Sequence, residues 1–109
     1  MTLQYDPTLG LNLHSESVAA STTSTPIPIN GESGKVSVAV HPSGGTGRVE
    51  FSLSSNAISA PGSANWVAWA GGDVSASTAD TLDGPVVAVR CVSGAGATTV
   101  FEVAISPRM

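Results

Sequence analysis

The feature that most constrains how this chain folds is a strict alternation of apolar and polar side chains in two segments that flank a glycine-rich stretch. The apolar positions are Val36, Val38 and Val40 in the first segment and Val49, Phe51 and Leu53 in the second. Side chains of a β-strand point to opposite faces in turn, so this period of two is typical of strands with one buried face. Residues 42–47, rich in glycine, predict a turn. We therefore expect a β-hairpin here.

A second hairpin is predicted further along the sequence. Residues 86–92 are almost continuously apolar and largely β-branched, which is typical of a strand covered on both faces. A glycine-rich turn follows at 93–97, and apolar side chains alternate again over 99–105. Three weaker predictions lie between the hairpins, namely strands at 65–70 and 74–78 and a helical turn at 79–82.

Composition favours the same structural class. Charged residues make up only 11% of the chain, against roughly 25% in typical soluble domains, and Ser, Thr and Gly supply much of the polarity. The apolar fraction of 41% in 109 residues is enough for one modest core. About seven strands separated by Gly and Pro turns predict an all-β fold. We expect a single β-sandwich, immunoglobulin-like or jelly-roll-like in arrangement.

Residues 1–34 differ in character from the rest of the chain. Only 9–13 shows alternation, which predicts one short strand there. Further on, Pro26 and Pro28 remove two amide donors and hold the backbone extended, so this stretch cannot be a central strand. We expect an extended N-terminal arm over 1–34 and the β-sandwich domain over 35–109.

The distribution of charge excludes several classes of partner. The net charge is −4, and the four basic residues, Lys35, Arg48, Arg90 and Arg108, are isolated from one another. Binding of phosphates needs a cluster of such residues, so we expect neither a nucleic-acid partner nor an anionic membrane. The first residues show no secretory signal, and no apolar stretch approaches the roughly 20 residues of a membrane span. The expected site of synthesis is the host cytoplasm.

Side chains that could carry chemistry are few and scattered. His14 and His41 fall on separate segments without an acidic or thiol neighbour at ligand spacing, whereas a zinc or catalytic site needs several such groups. We expect both histidines to be solvated. Cys91, the single cysteine, lies in an apolar run and is predicted to be a buried, inert thiol. The sequence therefore predicts no catalytic residue, no metal site and no cofactor.

Trp66 and Trp69 are the most informative large side chains. Three positions apart on a strand, they point to opposite faces. We expect one in the core and the other exposed, covered or in an interface, where tryptophan is enriched. Arg90, in an otherwise apolar strand, needs a carboxylate partner or an outlet to solvent. Glu102 across the predicted second hairpin is the candidate partner, and a pair between subunits is the alternative. The residues predicted to lie at an interface are Ile27, Ile29, Trp66, Trp69 and Arg90.

Residues 35–106 show a family resemblance in their general sequence pattern. Its elements are Ala64-Asn65-Trp66-Val67-Ala68-Trp69, then Gly84-Pro85-Val86-Val87-Ala88-Val89-Arg90, a glycine-rich turn and a closing alternating strand. In these the chain resembles small accessory proteins of tailed-phage heads and tails, including capsid decoration (cement) proteins. The resemblance implies a virion location and a homo-oligomer, commonly a trimer. It supplies no catalytic residues.

Two functional hypotheses follow. The first is a non-enzymatic virion structural protein, most simply a capsid decoration or cement subunit. Such a subunit would bind the major capsid protein or other virion proteins through the arm and a sheet edge. The alternative is a carbohydrate- or receptor-binding β-sandwich module of a phage tail or adhesin, with Trp66 or Trp69 as a platform for sugar stacking.

Overall fold

A computed structural model describes residues 4–6, 11–29, 33–82 and 86–107. Their secondary structure is almost entirely β. The nine strands are β1 (Gln4–Asp6), β2 (Leu11–Val18), β3 (Ile27–Pro28), β4 (Ser33–Ser43), β5 (Gly47–Ser52), β6 (Val67–Ala68), β7 (Thr78–Leu82), β8 (Ala88–Ser93) and β9 (Thr98–Pro107). One 3₁₀ turn spans Pro61–Ser63. Across the described residues, no helix is both long and apolar enough to cross a membrane.

The strands form two antiparallel sheets that pack face to face, which confirms the predicted all-β sandwich. The five-stranded sheet has the order β1-β2-β9-β4-β7, and the four-stranded sheet has the order β3-β8-β5-β6. From β2 onward the chain passes from one sheet to the other at nearly every step. Such alternation between two sheets is typical of a jelly roll, in which the connections cross the sandwich instead of folding back within one sheet.

Both predicted hairpins are wrong, although their strands lie close to where they were expected. β4 pairs with β7 and β9, whereas β5 pairs with β6 and β8. β8 and β9 likewise belong to different sheets. Each glycine-rich turn is therefore an arch that carries the chain across the sandwich. Alternation shows which side chains are buried, and it does not show which strand supplies the hydrogen bonds.

The two arches, 43–47 and 93–98, pack directly on each other. The amide of Gly94 donates to the carbonyl of Thr46 at 2.7 Å. A Cβ on Gly45 would come within 2.8 Å of the Ala95 carbonyl oxygen, so only glycine permits this approach. The glycines thus serve contact between arches and not the tight hairpin turn that the sequence suggested.

The described part of the predicted arm lies within the sandwich, which corrects the separation of residues 1–34 from the domain. β2 pairs with β9 from Asn12↔Ile105 to Val18↔Thr99. β3 forms the edge of the four-stranded sheet, next to β8, where a strand with prolines is tolerated. The side chains of Ile27 and Ile29 are buried in the core of the chain. Most of the short strand predicted at 9–13 lies within β2, and its first two residues fall outside the described ranges.

The core lies between the sheets and is built mainly of β-branched side chains. Its members are Val18, Ile27, Ile29, Val36, Val38, Val40, Val49, Trp69, Leu82, Val86, Val89, Cys91, Phe101, Val103 and Ile105. The helical turn predicted at 79–82 is wrong, because these residues form β7 along the edge of β4. Tertiary pairing supplies hydrogen bonds there that local propensity could not foresee.

Candidate interaction site on the four-stranded sheet

The outer face of the four-stranded sheet carries the described chain's largest group of paired charges. Along β5, Val49 points into the core, and therefore Arg48 and Glu50 point outward. On β8, Arg90 lies directly opposite Glu50. The alternation of each strand thus places two arginines and one glutamate side by side on a single face.

Glu50 is the centre of this group. Its Oε1 accepts a hydrogen bond from Nε of Arg90 at 2.8 Å and forms an ion pair with Nη2 of the same residue at 2.7 Å. Its Oε2 accepts a hydrogen bond from Nε of Arg48 at 3.0 Å and forms an ion pair with Nη2 of the same residue at 2.9 Å. Only 8% of Glu50 is exposed. A buried carboxylate held by two guanidinium groups, each through two nitrogens, fixes the position of both arginines.

Arg48 also reaches a second carboxylate. Its Nη1 donates to Oδ1 of Asp73 at 3.2 Å, and the Asp73 side chain is largely exposed. Burial by itself lowers the pKa of Arg48, but hydrogen bonds and charges from Glu50 and Asp73 outweigh it, and the net pKa is raised. The guanidinium therefore stays charged in this cluster.

Trp66 lies against the same cluster. The Cζ atom of Arg90 is 4.1 Å from the centroid of the Trp66 ring, within cation–π distance. The indole N–H of Trp66 donates to the Pro61 carbonyl at 3.0 Å, which ties the ring to the 3₁₀ turn. Trp66 remains partly exposed. Arg90 is thus held on one side by a carboxylate and on another by an aromatic ring.

Trp69 takes the opposite role, as the sequence predicted for one of the pair. It is buried in the core, and its indole N–H donates to the carbonyl of Gly72 at 2.7 Å. Among the predicted interface residues, Ile27, Ile29 and Trp69 are therefore packed inside this chain. Trp66 and Arg90 are the ones that reach its surface.

The predicted pairing of Arg90 with Glu102 is wrong. Because β8 and β9 lie in different sheets, these two side chains are on separate faces of the sandwich. Glu102 instead bonds Nε2 of His41 at 2.5 Å, and Nδ1 of His41 lies 2.9 Å from Oγ of Ser77. This second group lies on the exposed outer face of the five-stranded sheet.

His14 is not solvated, contrary to expectation. It points from β2 toward the core side of the sheet with Glu16, and its Nε2 lies 3.3 Å from Glu16 Oε1. Both atoms are buried, and neither makes a hydrogen bond of good geometry with any described residue. The described residues contain no group of three His, Cys, Asp or Glu side chains that could hold a metal ion.

Cys91 is fully buried, as predicted. Burial, with a smaller contribution from the charge of Glu16, raises the pKa of its thiol to about 12. The thiolate is therefore scarce at neutral pH, and the side chain behaves as a small core residue.

Arg48 and Glu50 are the members of the cluster that the sequence did not single out as candidates. Their spacing of two positions on one strand was the available signal, because such residues share a face. His14 and Glu16 repeat this spacing. The pairing of Glu50 with Arg90 could not be read in the same way, since it depends on which strands are neighbours.

The chain thus presents a jelly-roll sandwich with a charged and aromatic cluster on one outer face. No protein-family model matches its sequence, and no curated protein matches it. Among solved structures it is similar to oxalate oxidase, including the recombinant enzyme in complex with glycolate, in each case at 13% identity with a TM-score of 0.54. The likeness covers 92% of this chain and 43% of the oxalate oxidase chain. At this identity it shows the fold alone.

Proposed function

We propose that this protein is a non-enzymatic structural subunit of a virion, most simply a capsid decoration or cement protein that binds as a homo-oligomer. The observation that carries the proposal is the partly exposed Arg90–Trp66 pair on the outer face of the four-stranded sheet. Arginine and tryptophan are the residue types that most often dominate binding energy at protein interfaces.

The rigidity of this pair supports an interface role. Glu50 fixes the Arg90 guanidinium, and the Pro61 carbonyl fixes the Trp66 indole, before any partner arrives. A partner then avoids the entropic cost of ordering two long side chains. The fold adds support of a general kind, since jelly rolls include viral capsid domains.

The proposed mechanism is passive. A particle offers many equivalent sites, and an oligomer that engages several of them gains apparent affinity without any new contact at each one. Cross-linking of neighbouring capsid subunits in this way stabilises the shell. No bond is made or broken.

The first experiment measures the solution mass of the full chain by size-exclusion chromatography with light scattering, and then its binding to particles of the virus that encodes it. A discrete oligomer, with a trimer favoured, that co-sediments with particles is the expected result. A monomer that does not bind particles contradicts the proposal. Deletion of residues 1–34 is not a useful test, because it removes β2 and β3 from the sandwich.

Variants locate the contact. Trp66→Ala is expected to weaken particle binding at least about thirtyfold, the effect of losing an interface hot spot. The matched control is Glu102→Ala, an exposed position on the outer face of the other sheet. Its binding should stay within about threefold of the parent, as expected for a charge away from the interface core.

The sugar-binding alternative draws on the same ring. A carbohydrate- or receptor-binding module would use the partly exposed Trp66 as its platform, and jelly rolls also include lectin domains. Titration with a broad glycan panel, followed by tryptophan fluorescence, separates the two functions. A saturable response lost in Trp66→Ala favours the sugar-binding module, and a flat response leaves the structural subunit.

A further inference from the structure

We infer that the Arg48–Glu50–Arg90–Trp66 cluster is a binding site for a carboxylate, and that its occupant is an Asp or Glu side chain of a partner protein. The inference rests on the proposed function, because it names what this surface receives. It follows from how the two guanidinium groups use their donors.

Arg90 has an unused pair of donors. Glu50 takes the edge of its guanidinium formed by Nε and Nη2. Nη1 makes no hydrogen bond or ion pair with the residues that the structure describes, and the side chain is 21% exposed. The edge formed by Nη1 and Nη2 is a fork that matches the two oxygens of a carboxylate. It is the natural place for an incoming acidic group.

Asp73 shows that a guanidinium of this cluster can bind an aspartate while Glu50 holds its other edge, here through Nη1 and one carboxylate oxygen. Glu50 holds the same Nε and Nη2 edge of Arg48, and Nη1 of Arg48 then binds Oδ1 of Asp73. Arg90 is the equivalent group on the neighbouring strand and lacks a described counterpart of Asp73. The structure therefore contains one arginine whose Nη1 binds a carboxylate and one whose Nη1 binds no described residue.

The charges within the cluster balance one another. Arg48 and Arg90 carry two positive charges, and Glu50 neutralises one of them in a largely buried position. The exposed Asp73 compensates for the other on the Arg48 side. The four groups together are therefore neutral, and the whole chain carries a net charge of −4. An incoming carboxylate would thus be bound by the directional donors of the open guanidinium edge of Arg90 and not by a local excess of positive charge.

The state of Trp66 favours a protein side chain over an acidic sugar. Its indole N–H is already committed to Pro61, and Arg90 covers one face of its ring. A sugar platform relies on an open aromatic face and on free polar donors around it. Here the ring restricts the motion of the Arg90 side chain by stacking against its guanidinium. A carboxylate needs only the guanidinium edge and no open aromatic face.

Nuclear magnetic resonance tests the site with defined probes. The full chain is titrated with N-acetyl-glycyl-glutamyl-glycine amide and with the glutamine analogue, while the Nε–Hε signal of Arg90 and both indole signals are followed. We expect a saturable shift at Arg90 and Trp66, at least about fivefold weaker for the glutamine peptide, as for a contact of about 1 kcal/mol. The buried Trp69 indole is the internal control and should not move.

Two variants sharpen the result. Arg90→Lys keeps the charge but lacks the fork, so the shift of Trp66 should be lost while the Trp69 signal confirms the fold. Asp73→Asn removes a competing carboxylate, and tighter binding by about threefold is expected. Equal shifts with both peptides, or an unchanged response in Arg90→Lys, overturn the inference. Tighter binding of glucuronate than of the glutamate peptide also overturns it, in favour of an acidic sugar.

The outcomes distinguish this inference from the proposed function. Particle binding that persists in Arg90→Lys retains the structural subunit and removes the carboxylate site. Binding of the glutamate peptide by a chain that never associates with particles retains the site and removes the virion role.

Discussion

Gly45 and Ala95 approach each other so closely that a single methyl group between them would be 2.8 Å from the Ala95 carbonyl oxygen. This contact joins the arch that follows β4 to the arch that precedes β9. The two crossings of the sandwich are therefore one packed unit, and the stability of that unit can be measured.

Gly45→Ala is expected to lower the free energy of unfolding by about 1–3 kcal/mol, because the added methyl group forces backbone apart. Urea denaturation followed by circular dichroism measures the change. Gly62→Ala is the matched control, since a Cβ there meets nothing within 4 Å. The control should change by less than about 0.5 kcal/mol. Equal effects of the two substitutions would show that the close contact between the arches does not contribute to stability.

Glu50→Gln is expected to destabilise the fold by about 2 kcal/mol, because it leaves two arginines without their shared carboxylate. The loss is smaller than for a fully buried pair, since both guanidinium groups are partly solvated. Asp73→Asn removes an exposed partner of Arg48 and should cost less than about 0.5 kcal/mol. Thermal unfolding of the two variants gives the comparison. An unchanged unfolding temperature in Glu50→Gln would mean that Glu50 is not the centre of the cluster.

His14 and Glu16 should behave as a coupled pair. Either substitution alone, His14→Leu or Glu16→Leu, is expected to cost about 1–3 kcal/mol, because it leaves the other polar group buried without its partner. The double variant should cost less than the sum, with a coupling of about 1–2 kcal/mol in a double-mutant cycle. Additive losses would indicate that the 3.3 Å contact contributes nothing.

The unfolding free energy is expected to fall in alkaline solution through Cys91. Its thiol has a pKa of about 12 in the folded chain, against 9.0 for an unperturbed thiol. Below pH 9 the thiol is protonated in both states, so its contribution is fully present. Above pH 9 the unfolded chain loses this proton first, and the contribution is lost as the pH rises to about 12, by up to about 1.4 kcal/mol per pH unit.

Comparison with Cys91→Ala isolates this effect, because other groups titrate in both proteins alike. The slope of stability against pH, measured by urea denaturation between pH 9 and 11, should be shallower in the variant. Parallel slopes would show that the thiol is not protected from ionisation. In the parent chain at pH 8, a thiol reagent should react with Cys91 only after unfolding.

The fold class and most strand positions could be predicted from the sequence, whereas the pairing of the strands could not. Val36–Val40 and Thr99–Ile105 were correctly read as strands, because burial of one face imposes a period of two. The same pattern arises whether the next strand lies in the same sheet or across the sandwich. Glycine in a connection was therefore compatible with both a hairpin and an arch, and the hairpin was the wrong choice.

The candidate site was accessible to sequence analysis only in part. Trp66 and Arg90 were singled out by residue type, since a tryptophan and an arginine in an apolar chain need special surroundings. Their common location, and the role of Glu50, depend on the pairing of β5 with β8. That pairing is a property of the topology, which no local pattern encodes.

The pairing of β2 with β9 has a consequence for how the chain is made. Asn12 finds its partner, Ile105, only after nearly the whole described chain has been synthesised. β4 also pairs with β9, and β5 pairs with β8, so both lack these neighbours until late in synthesis. Most of the central strands therefore leave the ribosome before their neighbours exist, with apolar faces and hydrogen-bonding edges open. The sandwich can therefore close only once β9 has been synthesised, and folding is expected to be slow for the size of the domain; the interval before closure is when chaperones or self-association compete for the chain.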